Sequence, residues 1–158
     1  MLKDILSISG HGGLFRYLTK SRNGIIVENL ETKKRLNVDA TARINALEDI
    51  SIYTLEDDIP LKDVFKSIYE QEDGGAAPKP KKASADDLKS YFGDILPDYD
   101  EDRVYVSDIK KILTWYNVLH KLDLLNFEEE ETEEEDASGQ ESASEEQKDQ
   151  PDSDNTEE

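Results

Sequence analysis

The sequence predicts an α+β protein: a small, strongly bent antiparallel sheet or barrel with a covering helix, then a two-helix module and an acidic tail. Three observations predict it. Short β-branched and aromatic runs recur about every ten residues up to residue 54, too closely for crossover helices between parallel strands. From residue 61 the apolar period becomes helical. The segment 128–158 then holds 16 acidic residues against one basic residue, Lys148, and so carries most of the formal net charge of −19.

The strand runs are 14–19, 25–30, 35–38 and 50–53. Asn23-Gly24 separates the first two, where a tight reversal calls for a residue of positive φ, and residues 31–34 turn the second run into the third. These are antiparallel hairpin signals. In the next segment Leu61, Val64, Phe65, Ile68 and Tyr69 fall on one helical stripe, with Pro60 suited to the first turn and Asp57 and Asp58 near the positive end of the dipole. This helix is expected to cover one open end or face of the sheet, completing a first unit over 1–72.

Residues 73–85, with two glycines, two prolines and three lysines but no large apolar side chain, read as a flexible linker. A helical module over 86–127 follows. Ser84 is placed to cap a helix with the stripe Leu88, Tyr91, Phe92, Ile95 and Leu96, which Pro97 ends. Ser107 is placed to cap a second helix, with Asp108 in its first turn and the stripe Ile109, Ile112, Leu113, Tyr116 and Leu119. Trp115, Val118, Leu122 and Leu125 widen that stripe, so this helix must be covered from two directions. Docking on the sheet within one chain is the favoured solution, and self-association is the alternative.

The segment 128–158 contains no Val, Ile, Leu, Met or aromatic residue to offset the entropy of ordering, and is expected to be disordered. It would repel nucleic acid and anionic lipid. Without it, 22 acids and 18 bases remain, an ordinary balance. The chain has no cysteine, which excludes disulfides, thiolate chemistry and cysteine-ligated metal. Asp4 and Ser7 interrupt what would be the apolar core of a signal peptide, and no stretch approaches the roughly 20 apolar residues that cross a bilayer. A soluble, cytoplasmic protein without membrane contact is expected.

Three segments together, ISGHGGLFRYL, NGIIVENL through ALEDISIYT, and DRVYVSDIKKILTWYN, resemble a domain-of-unknown-function family widespread in Bacteroidetes. The resemblance covers most of residues 1–127. It implies an N-terminal SH3-like small barrel, a variable linker, a helical C-terminal module, an acidic end and a bacterial source, but no catalytic residue. Members of that family tend to carry Lys-Pro where this chain has His11-Gly12, so the resemblance gives His11 no shared role.

Candidate chemistry is sparse. The glycine run 9–13 lacks the spacing of a phosphate loop and reads as a turn entering a strand. His11 and His120, the two histidines, lie far apart without metal-ligand companions. Asp98, Asp100 and Asp102 imitate a calcium loop, yet Arg103 stands where glycine is needed and Ile109 where a bidentate Glu is needed, so a solvated turn is the better account. No nucleophile and base pair can be assembled. No catalytic residue, cofactor or metal site is therefore expected.

A non-enzymatic binding or adaptor protein is the reading that remains, with Trp115 and Tyr116 as anchors for a protein partner. The alternative is a nucleic-acid-associated regulator. Residues 1–46 hold eight bases against four acids, and hairpin loops concentrate them, which points to Arg16, Arg22, Lys33, Lys34 and Arg35 for a weak RNA or DNA contact. Exposed lysines that keep sheet edges from pairing explain the same residues. The acidic tail, folded back over these hairpins or over the KPKK segment, would compete with an anionic ligand.

Overall fold

The computed structural model describes residues 1–127, which include all of the compact unit Met1–Asn126. The expectations for the segment 128–158 lie outside the described residues. The unit opens with strands β1 (Ile5–Ile8), β2 (His11–Lys20), β3 (Gly24–Asn29), β4 (Arg35–Asp39) and β5 (Ile44–Ala46), joined antiparallel in the order β4-β3-β2-β1-β5. A single turn of 3-10 helix, Leu47–Asp49, leads to a second sheet of β6 (Ser51–Ile52) and β7 (Ile59–Pro60). Helices α1 (Leu61–Gln71), α2 (Ala85–Ile95) and α3 (Val106–Lys121) complete it.

The bent sheet expected from the sequence is formed, but it does not close into a barrel. β4 and β5 are separate edges of the five-stranded sheet. The sheet is nevertheless curled, since Val38 and Leu36 of one edge and Ile44 and Ala46 of the other pack into a single cluster with Leu6, Ile8, Phe15 and Val27. Irregular register between Leu6 and Ile8 and between Tyr17 and Thr19 supplies the bending. β1 and β5 escape sequence reading for opposite reasons. β1 is buried on both faces and follows Asp4, held at φ 61°, so it shows no alternation. β5 has three residues.

The two hairpin turns differ in how their residues make the reversal. Asn29 organises the β3–β4 turn as expected for a polar reversal: its Oδ1 accepts from the amides of Glu31 (2.9 Å) and Thr32 (3.0 Å), and Lys33 takes φ 61°. At Asn23-Gly24 the expected positive φ is absent, because Gly24 already belongs to β3. Glycine is required there for another reason, since a Cβ would sit 1.8 Å from the carbonyl oxygen of Val38.

The stripe Leu61, Val64, Phe65 and Ile68 of α1 is buried, with Tyr69 more exposed. Of the strands expected from the sequence it packs against the last, 50–53, which contains β6. α1 packs against β6, β7, the 3-10 turn and α2, and the helix that packs against β2 is α3. On the face of the sheet opposite its own cluster, Ile5, Leu14 and Leu30 are buried, whereas Arg16 and Arg35 are exposed. The breadth of the α3 stripe is thus explained: Ile109, Ile112, Leu113, Tyr116, Val118 and Leu119 are all buried, between the other helices and the sheet.

Ser84 caps α2 as expected, its Oγ accepting from the Asp87 amide (3.1 Å) while Asp87 accepts from the Ser84 amide (3.2 Å). Hydrogen bonding to the Ser84 hydroxyl and then to its amide lowers the Asp87 carboxyl from its ordinary value. α3 begins before Ser107. The Tyr105 amide donates to Asp108 Oδ2 at 3.0 Å, so Asp108 rather than Ser107 closes the N-terminus.

The first part of the segment expected as a flexible linker, residues 74–77, is bonded to α3. Tyr116 donates its hydroxyl to the Gly75 carbonyl (2.8 Å), His120 Nε2 meets the Gly74 carbonyl (3.0 Å), and the Asn117 amide takes both main-chain groups of Ala77 (2.9 and 3.2 Å). Ala77 is buried in consequence. Side-chain amide and hydroxyl groups do here what large apolar residues would do in a longer loop.

Candidate functional site

Trp115 and Tyr116 follow one another on α3, so their side chains diverge by about 100° around the helix. The structure separates them accordingly. Tyr116 is fully buried, edge-on to Phe65 at 6.0 Å and stacked on His120 at 6.1 Å, and is a core residue, not an anchor. Burial and the nearby Glu72 push its hydroxyl up to about 12. Trp115 is partly exposed and lines a groove of about 190 Å³ between β6 and the start of α3.

Ile50, Ile52, Val104 and Ile112 give this groove its apolar lining, and Tyr53, Arg103 and Lys111 are also on its wall. Arg103 is fixed. Its Nε lies 2.9 Å from Asp100 Oδ2, and its guanidinium sits 4.2 Å above the Tyr53 ring. That bond lowers the Asp100 carboxyl from its ordinary value. Lys111 carries an exposed ammonium with no carboxylate partner among the described residues.

The groove also meets a strand edge. The Leu61 amide donates to the Ile50 carbonyl, so Ile50 and Ile52 direct their main-chain groups toward β7. Ser51 and Tyr53 direct theirs the other way. Tyr53 and Leu55 are paired there with Asp100 (3.0 Å) and Asp98 (2.9 Å), and the following outward-facing peptide groups, at Ser51, open on the groove.

The five basic residues of the alternative reading do not converge. Arg16 and Arg35 flank Glu28 across three strands, with Arg35 Nε 3.7 Å from Glu28 Oε2. Lys33 and Lys34 are exposed in the adjoining β3–β4 turn, whereas Arg22 lies beyond the opposite end of β3. The remaining motifs have structural roles. Ser9 and Gly10 turn β1 into β2, and His11 is exposed, edge-on to Phe15. Asp100 spends its oxygens on Arg103 and the Asp102 amide. Among the described residues no three His, Cys, Asp or Glu side chains gather as a metal site, and no helix is long and apolar enough to cross a membrane.

Two family models match the chain. The domain of unknown function DUF5606 matches residues 2–47, and the domain of unknown function DUF6852 matches residues 50–119. A solution NMR structure from Bacteroides vulgatus, a structural-genomics target, is similar at 42% identity and a TM-score of 0.69, over 80% of this chain and 91% of that one. The chain belongs to this Bacteroidetes family of domains of unknown function. No curated protein matches it. The two family domains meet between β5 and β6, so the groove residues fall in the second and the basic hairpins in the first.

Sequence reasoning found Trp115 but missed Ile50, Ile52 and Val104, which join it only through tertiary packing. The Asp100 to Arg103 spacing was a local signal, and the cation stacked on Tyr53, fifty residues earlier in the chain, was not legible.

Proposed function

We propose that this is a non-enzymatic, cytoplasmic adaptor whose second domain binds an extended segment of a protein partner in the Trp115 groove. The observation that carries the reading is that the single tryptophan lines an open groove while Tyr116 beside it is fully buried. Large, partly exposed aromatic side chains in apolar pockets are typical binding anchors. The main-chain edge at Ser51 supports an extended ligand, which would continue the pairing begun by Asp98 to Asp100 and place side chains on Trp115 and Ile112. The curled sheet is read as an SH3-like small barrel opened between β4 and β5, serving as the support for this groove. Both histidines have structural contacts, which supports a role without catalysis.

Partners captured by the full chain from a Bacteroidetes lysate are to be rebound in purified form to wild type and to Trp115→Ala, with the fold of the variant checked by amide NMR. The expected result is a blue-shifted, quencher-protected tryptophan emission on binding and at least about tenfold weaker binding by the variant. Equal binding by the two proteins overturns the reading.

A further inference from the structure

On the other side of α3 the structure assembles something that neither basic cluster of the sequence shows by itself. The 3-10 turn Pro80–Lys82, the last two turns of α3 and the β3–β4 turn border an open groove of about 340 Å³. Lys79, Lys81 and Lys82 bring three cations to it from one wall, and Lys121 brings a fourth from the helix. Among the described residues Glu31 is the one acid in the lining, and it lies in the turn that carries Lys33 and Lys34. Pro80 and Val118 supply the apolar part of the lining, and Thr114 and Asn117 its uncharged polar part.

The groove already receives one carboxylate. Glu31 Oε1 lies 3.3 Å from Lys121 Nζ, while Lys79, Lys81 and Lys82 have no carboxylate partner among the described residues. The wall that presents them is held in place, because Asn117 bonds both main-chain groups of Ala77 just upstream. Three ammonium groups without a carboxylate partner among the described residues, beside an apolar lining, are complementary to carboxylates flanking an apolar side chain. A phosphate chain fits less well: among the described residues no aromatic side chain lines the groove for bases to stack on, and Glu31 would repel the backbone.

We infer that this groove binds a short acidic peptide of a partner protein, its carboxylates on Lys79, Lys81 and Lys82 and an apolar side chain on Pro80 and Val118. The site is separate from the Trp115 groove and stands whether or not that one binds a ligand.

The test uses the full chain and a fluorescein-labelled decapeptide of Asp and Glu around one central leucine, with fluorescence anisotropy as the readout. Saturable binding is expected that weakens about tenfold in the double variant Lys79→Glu, Lys81→Glu and falls with added salt, while Trp115→Ala leaves it unchanged. The lysines are exposed, so the double variant is expected to fold, which circular dichroism checks. Four results overturn the inference: no saturation at millimolar peptide, equal binding of the peptide with every acid changed to its amide, tighter binding of a single-stranded oligonucleotide that the same lysine changes abolish, or binding gained only after removal of residues 128–158, which would make that segment the occupant.

Discussion

The sheet of residues 5–46 and the helical region that follows are ordered by different means. In the sheet, each strand is bonded to its neighbour through the main chain, and side chains decide mainly which face is inward. In the helical region one element, α3, ties others to itself through particular side chains: Tyr116, Asn117 and His120 hold residues 74–77, and Tyr116 meets Phe65 of α1. The contrast teaches where damage should spread. A ladder loses stability locally, whereas a hub loses it at several places together.

The largest expected effect breaks the hub. Tyr116→Ala removes a buried ring and the bond to Gly75, and should cost about 4 kcal/mol, read as a lower urea midpoint. Amide exchange should accelerate in α1 and in 74–77 as well as in α3. If only α3 responds, the hub description is wrong.

Gly24→Ala tests the ladder. Its methyl group would meet the Val38 carbonyl, and separating β3 from β4 should cost about 2 kcal/mol, with faster exchange confined to those strands. Loss of protection across α3 would blur the distinction between the two regions.

Asn117→Ala sharpens the comparison. It leaves the amide and carbonyl of the buried Ala77 unpaired, so a cost of about 1–2 kcal/mol and proteolytic cleavage within 73–85 are expected. Resistance to cleavage would mean that Tyr116 and His120 suffice.

The smallest effect is a pH dependence. Burial, with the bond to Glu72, raises the Tyr91 hydroxyl, and burial with Glu72 nearby raises that of Tyr116. Above the ordinary tyrosine value near 10, the unfolded chain releases protons that the folded chain keeps. Stability present below that value is therefore lost as pH rises from about 10 toward 12. Urea midpoints across that window should fall in wild type and less in the double variant Tyr91→Phe, Tyr116→Phe.

Much of the fold was legible where a pattern is local. α1 showed its stripe, Ser84 its cap, and β3 and β4 their β-branched runs. What could not be read is set by distance along the chain. Which helix covers the sheet depends on packing between β2 and α3, some ninety residues apart, and the two-residue strands β6 and β7 have no period to detect. Of the two anchor candidates, adjacency on a helix guaranteed divergent directions, but only tertiary packing decided that Tyr116 points inward. The linker misled because its anchoring groups belong to another element.

The packing of α3 against β2 also bears on synthesis. A nascent polypeptide leaving the ribosome with only its strands complete would show water the Ile5, Leu14 and Leu30 face until residue 121 has emerged. During translation the first family domain would thus be the adhesive one, and severing the gene between the two domains should yield a fragment prone to aggregate.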